Sequence, residues 1–114
     1  MTIAYPVIIK YSDFELGIFK TEQLFFDESG CEEEDFLPHL VYIYDSEGRI
    51  LEYNQKAWKL TIAPGGEKIP KHEIIEHFKE HMNYCAPQEH RDTFAREAPN
   101  LSVRELILLG VRLS

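Results

Sequence analysis

Positive charge is scarce in this sequence. Twelve Lys and Arg stand against twenty Asp and Glu, for a formal net charge of −8. Phosphate backbones and anionic membrane surfaces are held by clustered Lys and Arg, so neither nucleic acid nor a membrane surface suits this composition. Long apolar runs are missing too. No window approaches the roughly 18 continuous apolar residues of a membrane-spanning helix. Cysteine is rare: Cys31 and Cys85 lie far apart, and free thiols are the default for such a pair without an export signal. The opening Met1-Thr2-Ile3-Ala4-Tyr5-Pro6 has neither the basic start nor the apolar stretch of a signal peptide, so a cytoplasmic protein is expected. Gly65-Gly66 stands without a G-x-G-x-x-G or P-loop context, which removes a phosphate cradle.

What is present fits an ordinary globular domain. Hydrophobic residues make up 44% of the 114 residues and aromatic residues 12%, and a chain of this size buries roughly two thirds of its unfolded surface. One domain over 1–114 is expected, strand-rich over 1–63 and helix-rich over 64–114. The charge is uneven: residues 1–63 carry five basic and twelve acidic residues, and 64–114 carry seven and eight. Any long-range field therefore arises in the first half and attracts a basic partner.

Alternation predicts a strand at Ala4–Tyr11, with Val7, Ile9 and Tyr11 on one face and Ile8 and Lys10 on the other. Ser12–Glu15 is the turn, and Leu16–Phe19 returns. Thr21–Phe26 fits either a helical turn or a continued strand. Asp27–Asp35 holds six carboxylates in nine residues, whose repulsion predicts an exposed loop. Residues 39–63 read as a three-stranded meander, turning at Asp45-Ser46-Glu47-Gly48 and ending on a strand with Trp58, Leu60 and Ile62 on its core face. Lys71–Cys85 is helical by period, with Ile74, Ile75, Phe78, Met82 and Cys85 as its apolar stripe. Residues 87–99 stay open between strand and helical turn. The last helix, Val103 to about Leu113, carries the clearest signature: Ser102 and Glu105 form a capping box, and Leu101 and Leu106 the matching staple. Leu106, Ile107 and Leu109 should face the sheet. Leu108 and Val111 point elsewhere and leave room for a homodimer contact. The expected fold is α+β: an N-terminal antiparallel sheet of about five strands with two C-terminal helices packed on one face.

Chemistry-bearing groups are few. His72 and His77 flank two glutamates but are five apart, not the four that put both histidines of a zinc-protease helix on one face. His77 and His81 have that i,i+4 spacing, with Cys85 a turn further on, so they are the candidate metal pair. A full ligand set would need help from His39, His72 or His90. Cys31 lies among Glu32, Glu33, Glu34 and Asp35, where negative charge dulls a thiol, and Cys85 is expected to be buried. No catalytic residue is assigned, and no cofactor. Asp27, Glu28, Glu32, Glu33, Glu34 and Asp35 are the candidate binding residues, without the alternating spacing of a calcium-binding loop. The aromatic set Tyr42, Tyr44, Tyr53 and Trp58 falls on adjacent expected strands and reads as cross-strand pairing, with a partner-binding face as the alternative.

Tyr5-Pro6-Val7-Ile8-Ile9-Lys10-Tyr11 with its acidic turn, and Ala98-Pro99-Asn100-Leu101-Ser102 before the last helix, resemble a family of small gammaproteobacterial domains of unknown function. The resemblance covers the two ends of the chain and implies no site residue. The function expected from the residues is that of a non-catalytic cytoplasmic protein-binding or accessory domain with an acidic face, such as a small acidic inhibitor of a basic protein. The alternative is a small enzyme or metal-binding domain built on the His77/His81 helix.

Overall fold

The computed structural model describes residues 2–29, 40–54 and 59–114. The strands are β1 (Val7–Tyr11), β2 (Leu16–Phe19), β3 (Leu40–Tyr44), β4 (Leu51–Asn54) and β5 (Lys59–Ile62). The helices are α1 (Glu22–Ser29), α2 (Lys71–Cys85), α3 (Gln88–Glu97) and α4 (Val103–Leu113), with a 3-10 turn at Ala98–Asn100. The α+β class expected from the sequence is the observed one, and its strands pair antiparallel.

Two details of the expected layout change. First, residues 39–63 do not form one meander. β3 pairs with β1 in a three-stranded sheet ordered β2-β1-β3, while β4 and β5 form a separate hairpin. Among the described residues a bridge from Tyr44 to Ile50 links the two. Second, the C-terminal region holds three α-helices, not two, because the open stretch at 87–99 is α3 and the 3-10 turn. The acidic segment is also partly regular. Thr21 Oγ1 accepts the Leu24 N–H at 3.1 Å and starts α1, which runs on through Asp27 and Glu28 to Ser29. Residues Gly30–Asp35, with four of the six candidate carboxylates, lie outside the described residues, as does Trp58.

Strict alternation along β1 gives the sheet two buried faces. Ile8 joins Tyr44, Ile74, Phe78, Met82, Phe94, Leu106 and Ile107 in a core shared with α2, α3 and α4. Val7 and Ile9 point the other way, into a second core with Phe19, Phe25, Ile43, Leu51 and Leu60. The sheet is thus covered by the C-terminal helices on one side and by α1 and the β4–β5 hairpin on the other. α2 buries Ile74, Phe78 and Met82 at i, i+4 and i+8. α4 carries the expected capping box and buries Leu106, Ile107 and Leu109, while Leu108 is exposed. Val111 departs from expectation: it packs partly against the helix-side core. A Cβ at Gly110 would lie 2.5 Å from Phe78 Cδ1, so this glycine sets how closely α4 approaches α2.

The β3–β4 turn joins the layers. Asp45 and Ser46 are both fully buried. Asp45 Oδ1 accepts the N–H groups of Glu47 and Arg49, each at 3.0 Å. Its Oδ2 accepts Ala4 N–H at 3.2 Å and the Arg49 guanidinium at 2.7 and 2.9 Å. Ser46 N–H donates to Ala4 O at 2.8 Å, and Arg104 of α4 donates to Ser46 Oγ at 3.1 Å. Gly48 completes the turn at φ +80° against Val103. Removing one member of a buried ion pair leaves the other without its partner at a cost of about 3–5 kcal/mol. Asp45→Ala is therefore expected to lose stability of that size in urea unfolding, and a loss below about 1 kcal/mol would contradict the assigned network.

Candidate functional site

Ionisable groups of the described residues converge at one place outside the Asp45 turn, where the β1–β2 turn meets the second half of α2. Lys10 faces the helices because it follows Ile8 by two on β1. It is 9% exposed, and its ammonium donates to Asp13 O of the turn. Glu80 of α2 stands 3.9 Å away, with its own side chain 57% exposed, so this pair contributes little energy. His77 and His81, one turn apart on α2, flank the lysine.

Each histidine is engaged at Nδ1. Leu16 N–H donates to His81 Nδ1 at 3.2 Å, which joins the first residue of β2 to the helix. His77 Nδ1 and the buried Tyr44 hydroxyl share a hydrogen bond at 3.2 Å, and the Tyr42 ring lies on the same imidazole at 6.0 Å. Burial pushes the Tyr44 hydroxyl far above its usual range, so it stays protonated. Both imidazoles titrate below their ordinary range, first because burial disfavours the cation, with the Lys10 charge adding to it. They are neutral at pH 7. A neutral His81 that accepts at Nδ1 carries its proton on Nε2, which leaves no lone pair there for a metal. Among the described residues no three His, Cys, Asp or Glu side chains are grouped to hold an ion. His77 and His81 are brought together as expected, with backbone and tyrosine partners at their Nδ1 atoms.

Cys85 is exposed, a correction to its expected burial in the apolar stripe. It follows Met82 by three residues, in the last turn of α2, and the chain turns away at Ala86. Partial desolvation pushes its thiol upward, which keeps it protonated and weakly nucleophilic. The expected aromatic set also divides. Tyr42 and Tyr44 meet His77 on the helix side, whereas Tyr53 packs edge-on against Phe25 at 5.7 Å in the other core. The reason is topological: β3 and β4 belong to different sheets.

On the outer side of the polar cluster lies a feature the sequence did not announce. Phe14, at the tip of the β1–β2 turn, stacks on Tyr84 of α2 with ring centroids 3.7 Å apart and planes inclined by 22°. Tyr84 remains 69% exposed, the most exposed large apolar side chain described. The turn is preorganised: Asp13 Oδ1 accepts Glu15 N–H at 2.8 Å, Lys10 holds Asp13 O, and His81 holds Leu16. Asp13 and Glu15 flank Phe14 in the chain, and Glu80 precedes Tyr84 by one helical turn on the same face. The result is a half-buried Phe14 ring stacked on an exposed Tyr84 ring, with three acidic residues close by in the chain or one helical turn away. Its one sequence signal was Phe14 itself, an aromatic residue inside a four-residue polar turn with no core position to fill.

The lowered imidazole values make stability pH-dependent. A histidine whose folded value lies below its unfolded 6.5 contributes stability above that unfolded value, and the contribution fades as pH falls through the lowered one. His81→Ala is expected to cost about 1–3 kcal/mol at pH 7.5, because Leu16 N–H loses its acceptor. The variant should also show a shallower fall in stability between pH 7.5 and pH 5 than the parent does, as read by urea unfolding. Parallel pH profiles would contradict the role given to His81.

No family model matches the chain, and no curated protein or solved structure matches it.

Proposed function

We propose that the chain is a non-catalytic protein-binding domain of the cytoplasm that takes a basic partner, anchored on the Phe14–Tyr84 pair. The observation that carries this reading is the exposed Tyr84 ring stacked on Phe14, with Asp13 and Glu15 flanking Phe14 in the chain and Glu80 one helical turn before Tyr84. Exposed aromatic rings on a rigid support are typical interface anchors. A ring face beside carboxylates suits an Arg or Lys side chain, which gains from both the π-face and the opposite charge. The overall charge of −8 adds steering of the same sign. Nucleic acid fits this surface poorly. The exposed free thiol of Cys85 suits a reducing compartment.

The enzyme or metal reading on the His77/His81 helix draws less support. Its imidazoles have Nδ1 partners inside the fold, and Lys10 is directed to a backbone carbonyl of the turn. No nucleophile, base and orienting group line up around a common cleft among the described residues.

Titration of the ¹⁵N-labelled protein with a short arginine-rich peptide separates the sites. Amide shifts are expected to concentrate on residues 12–16 and 80–85, and Tyr84→Ala should weaken binding at least about fivefold, the effect of losing an anchor worth ~1 kcal/mol. Shifts confined to 27–35 would move the site to the acidic segment named from the sequence. An unchanged affinity in Tyr84→Ala would remove the aromatic pair from the reading.

A further inference from the structure

α4 presents a second surface, and its chemistry points to a different partner. Leu108 is 41% exposed and lies in a groove of about 450 Å³ lined by Glu97, Leu101, Glu105, Leu108, Leu109 and Arg112. Glu105, Leu108 and Arg112 follow one another at steps of three and four, which places them on a single stripe of α4, and Leu101 lines the same groove just before the helix. Glu105 and Arg112 are seven residues apart, or about 10.5 Å along the axis, too far to pair with each other. The Glu105 carboxylate is held in place because its Oε1 accepts Ser102 N–H at 3.2 Å, and those Ser102 bonds keep it ionised. Among the described residues Arg112 has no ion-pair partner. Arg104, by contrast, is engaged with Glu47 and Ser46.

We infer that this stripe is a self-complementary interface, on which a second copy of the chain packs its own α4 antiparallel about a two-fold axis beside Leu108. The midpoint between Glu105 and Arg112 falls between Leu108 and Leu109, so reversal about that point places Glu105 against Arg112 of the partner subunit, and the converse pair follows by symmetry. The same operation buries the exposed Leu108 side chains against each other at the centre, with the charges at the rim. A basic peptide would meet the groove less well, since Arg112 sits at one end of it.

Sedimentation equilibrium of the full chain tests this. The expected result is a monomer–dimer equilibrium that is lost in Leu108→Glu. Arg112→Glu and Glu105→Lys should each raise the dimer dissociation constant about tenfold or more by setting like charges opposite. The Glu105→Lys/Arg112→Glu double variant, with both charges exchanged, should recover most of the loss. Arg112 is exposed and outside both the core and the capping box, so Arg112→Glu carries the test even where Leu108→Glu fails to fold. Circular dichroism checks each variant, Glu105→Lys above all because it also removes the capping carboxylate of α4. A parent protein that stays monomeric up to about 500 μM overturns the inference, since that sets a dissociation constant beyond the millimolar range. So does a dimer indifferent to Leu108→Glu, or a double variant that recovers nothing.

Discussion

One fully buried carboxylate, that of Asp45, organises the molecule. Burying a carboxylate is tolerable only when its oxygens are fully partnered, and Asp45 gathers backbone and side-chain partners from two parts of the chain. They are the N-terminal segment at Ala4, and its own turn through the Glu47 and Arg49 N–H groups and the Arg49 guanidinium. Arg49 in turn donates to Thr2 O, and the adjoining Ser46 accepts from Arg104 of α4. The N-terminus, the junction between the two sheets and the last helix are therefore fixed to one point. β3 leaves the three-stranded sheet there and β4 begins the hairpin, so the separation of the two cores depends on this turn keeping its shape.

The polar groups between sheet and α2 act in a related way at the other end of β1. Lys10 and His81 would attract attention as chemistry if seen only in sequence. In the fold they face backbone atoms of the β1–β2 turn, Asp13 O and Leu16 N. Their effect is to hold four residues against a helix so that Phe14 lies on Tyr84. A nearly buried lysine and one neutral imidazole thus set the position of the turn that carries the aromatic surface, and the negative charge of the chain favours a basic partner there.

Much of this was legible in residue order where the signal is local. The face assignment of β1, the stripe Ile74-Phe78-Met82 and the Ser102–Glu105 capping box each depend on neighbours within a few positions. The meander failed because alternation in β3 is the same whichever strand lies beside it, and its pairing with β1 is a long-range choice. α3 was obscure because it buries one side chain, Phe94, and one residue sets no period. Cys85 was misplaced because a stripe extrapolated to a helix end outruns the surface it packs on. The aromatic site was only hinted at by Phe14, for the same reason as β3: Phe14 and Tyr84 are brought together only by tertiary structure. Asp45 was recognised as a turn former, yet nothing local distinguishes an exposed turn aspartate from one buried with an arginine.

The measurement that tests the central claim most directly is the ¹⁵N imidazole spectrum of His81 at neutral pH. That claim is that the ionisable groups beside α2 serve to hold the β1–β2 turn and its aromatic tip. It requires a neutral ring protonated at Nε2, with Nδ1 as an acceptor from Leu16 N–H. Resolved shifts for that one tautomer, with a coupling from Nδ1 to the Leu16 amide, are the predicted result. An Nδ1-protonated ring, or averaged shifts of a ring exchanging freely with water, would contradict it and return the His77/His81 helix to consideration as a centre of chemistry.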